Sequence, residues 1–126
     1  MVNQPQPPLL EVQDLKKYFS SHRGFIKRQL VTVKAVDGVN LQVQAGETLG
    51  IVGESGSGKT TLGRCITRLY EPTGGKVFLN DESGRVSVTE LEGDDLKKFR
   101  RKAQTIFQDP YSSLNPRMNV LQTVGE

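Results

Sequence analysis

Gly53-Glu54-Ser55-Gly56-Ser57-Gly58-Lys59-Thr60 has the spacing Gly, four residues, Gly, Lys and then Ser or Thr, which marks a phosphate-binding loop. A phosphate needs several donors converging on one anion. Gly53, Gly56 and Gly58 let successive backbone N–H groups turn inward with no Cβ between them, and Glu54, Ser55 and Ser57 complete the loop. Lys59 is expected to reach the β- and γ-phosphates as a point charge, and the Thr60 hydroxyl to bind Mg²⁺. Thr61 is expected to hydrogen-bond the α-phosphate, while the start of the following helix adds its positive dipole end.

Such a loop works only between a strand and a helix, and both neighbours fit. Thr48-Leu49-Gly50-Ile51-Val52 is a short apolar run of the kind that forms a buried parallel strand. Leu62, Cys65, Ile66 and Leu69 recur at i, i+3, i+4 and i+7, one apolar stripe on a helix running to about Tyr70. Pro72 and Gly74-Gly75 then end it.

Composition sets the outer limits. At 126 residues the chain is one domain at most, long enough to bury roughly two-thirds of its unfolded surface. Seventeen Lys and Arg against 14 Asp and Glu leave a net charge of only +3, and no basic stripe interleaved with aromatics exists, so a nucleic-acid partner is not expected. Lys97-Lys98 with Arg100-Arg101-Lys102 reads as a solvated helix face. One cysteine excludes an intrachain disulfide and fits a reducing compartment; Cys65 lies on the apolar stripe and reads as a core residue. The chain contains no apolar run near the 20 or so residues of a membrane span and no signal-peptide segment at its start, so a cytoplasmic protein is expected.

Residues 1–8 are polar, carry Pro5, Pro7 and Pro8, and read as a disordered lead-in to a folded unit over 9–126. Leu10 and Val12 suggest a first strand and Val31 and Val33 a second, with a polar loop from Ser20 to Leu30 between them. After an Asp37-Gly38 turn, Val39, Leu41 and Val43 alternate with polar residues as a further half-buried strand. Lys76 to Leu79 is a strand leading over a turn-rich tip, Asn80 to Gly84, into Val86 and Val88. Asp94-Asp95 starts a helix to about Lys102, and Gln104 to Phe107 reads as a strand. The proline-bounded segment from Gln108 to Pro116 is a loop by its local chemistry.

The loop at 53–61, the preceding Gly46-Glu47-Thr48-Leu49-Gly50-Ile51-Val52 and the later Phe107-Gln108-Asp109-Pro110 together resemble an ABC-type ATPase domain. More narrowly, Ile106 to Arg117 is similar to the ATP-binding subunits of oligopeptide and dipeptide importers, and the resemblance runs from about Leu9 to Glu126. It implies the N-terminal portion of an α/β P-loop NTPase, an antiparallel β layer plus the start of a parallel core sheet with helices. It implies ATP and Mg²⁺ as ligands. Gln108 matches the glutamine that touches the metal and attacking water in that family, a role suited to an amide that both donates and accepts. Phe19 matches the aromatic that stacks on adenine, although core packing is an open alternative for it; Tyr18 points the other way if the segment is extended.

The resemblance also implies partners: a second ATP-binding subunit, and transmembrane permease subunits meeting the loop around Gln108 to Pro116 on the inner face of the plasma membrane. A working member of the family needs an acidic pair after an apolar strand, a Leu-Ser-Gly-Gly-Gln-type signature and a switch histidine. None follows Gln108 here, and His22 lies far upstream in a loop, exposed to solvent. The expectation is therefore a domain truncated after the glutamine loop that binds ATP without turnover. A non-hydrolysing pseudo-subunit and a soluble ABC protein acting on ribosomes or DNA are the alternatives.

Overall fold

The computed structural model describes residues 6–26, 29–109, 117 and 119–124. Its frame is one long hairpin, β1 (Leu10–Arg23) against β2 (Gln29–Val43). β3 (Gly74–Asp81) pairs with the other edge of β1 and β4 (Gly84–Ser87) with β3, an antiparallel sheet in the order β2-β1-β3-β4.

Two sequence expectations change here. Ser20 to Leu30 is not mainly loop, because β1 continues to Arg23 and β2 starts at Gln29, with Ser20 opposite Thr32 and Ser21 opposite Val31. Asp37-Gly38 is not a turn, because it lies inside β2 opposite the part of β1 where the register shifts. Gly38 has φ +77 there, and the two Val-rich halves of β2 are one bulged strand. A glycine with positive φ serves a bulge as readily as a turn, so local chemistry alone does not separate the two.

Val12 and Leu15 of β1, Val36 of β2 and Val77 of β3 form a buried cluster. Val12 and Leu15, three positions apart, would face opposite sides of a regular strand, and the register shift between them, with Asp14 at φ +45, turns both inward. Helix α1 (Lys59–Ile66) adds Leu62 and Cys65, and α2 (Gly93–Lys102) adds Phe99. Burying Phe99, the one buried residue of α2, contributes about 2–3 kcal/mol and sets that helix against the sheet. Its neighbours Leu96 and Ala103 pack beside it at helical spacing. Cys65 is a core residue as expected, and burial pushes its thiol pKa up, away from reactivity.

Helix α1 ends at Ile66, a turn earlier than the apolar spacing suggests. The Thr67 hydroxyl donates to the Gly63 carbonyl at 2.9 Å, and Arg68 takes a left-handed conformation at φ +56 with its N–H on the Cys65 carbonyl at 3.1 Å. Leu69 is accordingly exposed rather than on the core stripe. The reason lies in tertiary contacts. Arg68 is buried, with Nε donating to the Val88 carbonyl at 3.1 Å and a terminal nitrogen to the Leu91 carbonyl at 3.2 Å. Arg100 in turn donates to the Arg68 carbonyl at 2.7 Å. These charge-assisted bonds tie the end of α1 to the 3₁₀ turn Val88–Glu90 and to α2.

Thr48 to Val52 and Gln104 to Phe107 form no ladder among the described residues. Leu49 and Ile51 are each 43% exposed and Val52 94%. An apolar run specifies that a segment seeks burial; it becomes a strand only where another strand lies alongside. α3 (Val120–Val124) is a short helix whose Val120, Leu121 and Val124 are exposed. Residues 1–5 and 110–116 lie outside the described part, and with them most of the expected lead-in and of the proline-bounded loop. The Pro8 carbonyl accepts from the Asn80 side chain at 2.7 Å.

At the end of β3, Lys102 donates to Asp81 at 2.6 Å, and the Ser83 hydroxyl and backbone N–H donate to the same carboxylate. Lys102 first and Ser83 second pull the Asp81 pKa from 3.8 down to about 2. A carboxylate with a depressed folded-state pKa stabilises the fold above its unfolded value, and the contribution is lost as pH falls through the folded value. Between pH 4 and 2 the midpoint of thermal unfolding should fall less steeply in Asp81→Asn than in the parent. Parallel curves for the two would show that this ion pair adds nothing.

Candidate phosphate-binding site

The expected loop residues converge. Gly58, at φ +94, is the N-cap of α1, so the chain turns from the loop straight into the helix at Lys59. Leu62 N–H donates to the Gly58 carbonyl at 2.8 Å as the first turn closes. No acidic side chain stands in that turn, and its free N–H groups and positive dipole end are left for an anion. Lys59 Nζ curls back over the loop, donating to the carbonyls of Gly53 and Glu54 at 2.6 Å each and to Ser57 Oγ at 3.0 Å. The Ser57 N–H donates to the Glu54 carbonyl at 3.2 Å. The ammonium of the half-buried Lys59 thus rests on neutral oxygens, able to exchange them for phosphate oxygens.

A cleft of about 430 Å³ opens beside this loop. Ser55, Gly56, Ser57 and Gly58 form one wall with Lys59, Thr60 and Thr61, and Val33, Lys34 and Ala35 of β2 form another. Gln108 lines the same cleft, although 47 positions separate it from Thr61 in sequence. Loop, hydroxyls and side-chain amide are therefore one site. The β2 wall is what the sequence reading missed. Val31 and Val33 read only as strand residues, and nothing in their local pattern tells that Ala35 abuts the loop.

That contact is tight. A Cβ built on Gly58 would lie 2.1 Å from the Ala35 carbonyl oxygen, whereas one on Gly56 would meet nothing within 4 Å. Two glycines of one motif thus have different reasons for being glycine: Gly56 for its positive φ alone, Gly58 for φ and for space.

Phe19 stands one strand away from the cleft. It pairs with Val33 across the ladder, so the two side chains share a face, and it is 41% exposed. Tyr18 is on the opposite face, where its hydroxyl donates to Asp37 and Lys34 Nζ sits over its ring, 5.3 Å from the centroid. The hydrogen bond to Asp37 raises the Tyr18 pKa, the direction expected for a phenol whose protonated form is the donor. Each of the two adjacent aromatics therefore pairs with a residue of the cleft wall, Phe19 with Val33 and Tyr18 with Lys34, on opposite faces of the sheet. His22 is exposed, as expected.

No described helix is long and apolar enough to cross a membrane. No group of three or more His, Cys, Asp or Glu among the described residues is arranged to hold a metal ion.

Comparison with known proteins fits this geometry. Over 122 residues the chain is 44% identical to the oligopeptide transport ATP-binding protein AppF of Bacillus subtilis, covering 96% of this chain and 36% of that protein. It is 51% identical over 120 residues to the oligopeptide transport ATP-binding protein OppF of the same organism, covering 94% and 35%. The chain thus spans about a third of the length of these relatives. Among solved structures, a bacterial ABC transporter cassette in dimeric form matches 91% of this chain and 44% of its own at a TM-score of 0.65 and 28% identity. A dimeric post-hydrolysis ATP-binding cassette bound to ADP and Pi matches 73% and 35% at a TM-score of 0.57 and 29% identity. Residues 36–124 match the family model described as ABC transporter, and with the phosphate loop, Gln108 and the antiparallel β layer in place, the chain belongs to the ABC transporter family.

Proposed function

We propose that residues 9–126 are the N-terminal part of the ATP-binding domain of an ABC importer of peptides or related solutes, with the nucleotide in the cleft between the phosphate loop and β2. The observation that carries this reading is that Gln108 and the loop line one cleft. Lys59 and the backbone amides of 53–59 hold the β- and γ-phosphates, Thr61 the α-phosphate, and Phe19 the adenine.

Thr60 and Gln108 suit Mg²⁺ as ligands, because this ion keeps several waters and takes its remaining oxygens from substrate phosphates rather than from an all-protein cage. A hydroxyl and an amide oxygen are hard neutral donors of that kind. When bound, the ion neutralises charge developing on the phosphates. Gln108 both accepts and donates, so it can orient a water at the γ-phosphate while its loop senses whether that phosphate is present. In the whole protein, a second ATP-binding subunit and the permease subunits that receive the loop from Gln108 to Pro116 would complete the machine at the inner face of the plasma membrane. The names of the two relatives above, both oligopeptide transport ATP-binding proteins, support the class of solute.

Uptake of a labelled tripeptide tests this reading. Cells carrying Gln108→Ala in the chromosomal gene should lose most uptake while the protein stays at its normal level. Full uptake in that strain would sink the proposal.

A further inference from the structure

We infer that Tyr70 is a positioning residue for the nucleotide base, fixing the Phe19 ring from the segment that directly follows α1, the helix whose first turn holds the phosphates. The inference rests on Phe19 being the base platform. Tyr70 and Phe19 meet edge to face, with ring centroids 5.8 Å apart and planes at 81°, an arrangement aromatic pairs favour because a ring edge is positive and a face negative. Tyr70 is itself held. Arg64, in the last turn of α1, donates to its hydroxyl at 2.8 Å and lies over its ring, 5.3 Å from the centroid. The Tyr70 N–H donates to the Arg64 carbonyl at 2.9 Å.

Lys17 completes the cluster. Its Nζ donates to the Glu71 carbonyl at 2.7 Å and lies 5.1 Å from the Phe19 centroid and 6.0 Å from that of Tyr70. A ring with an aromatic neighbour and a cation over one face has fewer rotamers left, yet Phe19 remains 41% exposed. A partly exposed aromatic usually loses rotamer freedom when a ligand stacks on it; here that freedom is removed before the ligand arrives. The path is continuous: Lys59 opens α1, Arg64 closes it, Arg64 holds Tyr70, and Tyr70 holds Phe19. Phosphate site and base platform are thus linked through α1 and the short segment after it, which the two Arg64–Tyr70 hydrogen bonds hold to the helix.

Binding of Mg-ATP and of inorganic triphosphate, which has phosphates and no base, separates base recognition from phosphate recognition. Tyr70→Leu should weaken ATP about fivefold and leave triphosphate unchanged, whereas Tyr70→Phe, which keeps the ring edge, should stay within about twofold for both. Phe19→Ala should weaken ATP about tenfold, and adding Tyr70→Leu to it should weaken ATP no further. Lys17→Met, which keeps the aromatic pair, should weaken ATP about threefold without touching triphosphate, and it decides the matter if Tyr70→Leu fails to fold. Tyr70→Leu or Lys17→Met weakening both ligands equally would assign the cluster to the fold and overturn the inference. Phe19→Ala losing ATP while Tyr70→Leu and Lys17→Met do not would overturn it and spare the platform. An unchanged ratio of ATP to triphosphate affinity in Phe19→Ala would remove the platform itself.

Discussion

Lys59→Ala should abolish measurable Mg-ATP binding, lowering affinity by roughly a hundredfold or more. The ammonium makes three hydrogen bonds to loop oxygens and is the one side-chain cation that the loop itself carries. A hydrogen bond to a charged group is worth about 1.5–3 kcal/mol, and two such bonds to phosphate oxygens therefore amount to two to four decades of affinity. The fold should hardly notice. The carbonyls Lys59 leaves behind are exposed and take water in its place, so the melting temperature should move by no more than a few degrees. Lys59→Arg is not a conservative control, since a planar fork does not fill the place of a compact ammonium. Titration with a fluorescent ATP analogue reads the effect, and binding within a few-fold of the parent would mean that the phosphates lie elsewhere.

Gly58→Ala should damage the fold and the site together. Its methyl would sit 2.1 Å from the Ala35 carbonyl oxygen, on a backbone at φ +94. The left-handed conformation costs a side-chain-bearing residue about 1–3 kcal/mol, and forcing a group into filled space about 1–3 kcal/mol more. A fall in melting temperature of about 10 °C is expected, with loss of ATP binding as the loop moves off β2. Gly56→Ala is the matched comparison, with φ +79 but open space around its Cβ, and it should lower the melting temperature by half as much or less. Equal effects from the two substitutions would show that the contact with Ala35 is not what makes Gly58 necessary.

Much of the site is legible without coordinates, because a phosphate loop is a local device. Its glycines, lysine and threonine are consecutive, and the turn they form depends on backbone freedom and one charged side chain within eight residues. The helix α2, the β3 strand and the burial of Cys65 are legible for the same reason, each following from a period or a charge within a few positions. Asp94 and Asp95 stand in the first turn of α2 rather than capping it, the N-cap being Glu92.

What only the tertiary structure decided depends on residues far apart in the chain. The end of α1 is set not by its apolar stripe but by Arg68 reaching the carbonyls of Val88 and Leu91, twenty and more positions on. Asp37-Gly38 is a bulge rather than a turn because β1 lies alongside it. Thr48 to Val52 has the composition of a strand yet pairs with none among the described residues, since a ladder needs a neighbour as well as a sequence. Gln108 meets the phosphate loop, and Tyr70 meets Phe19, only because the sheet and α1 bring them together. Local sequence carries backbone preference and hydrophobic period; which distant groups come within a few ångströms of one another is decided by packing the elements against a shared core.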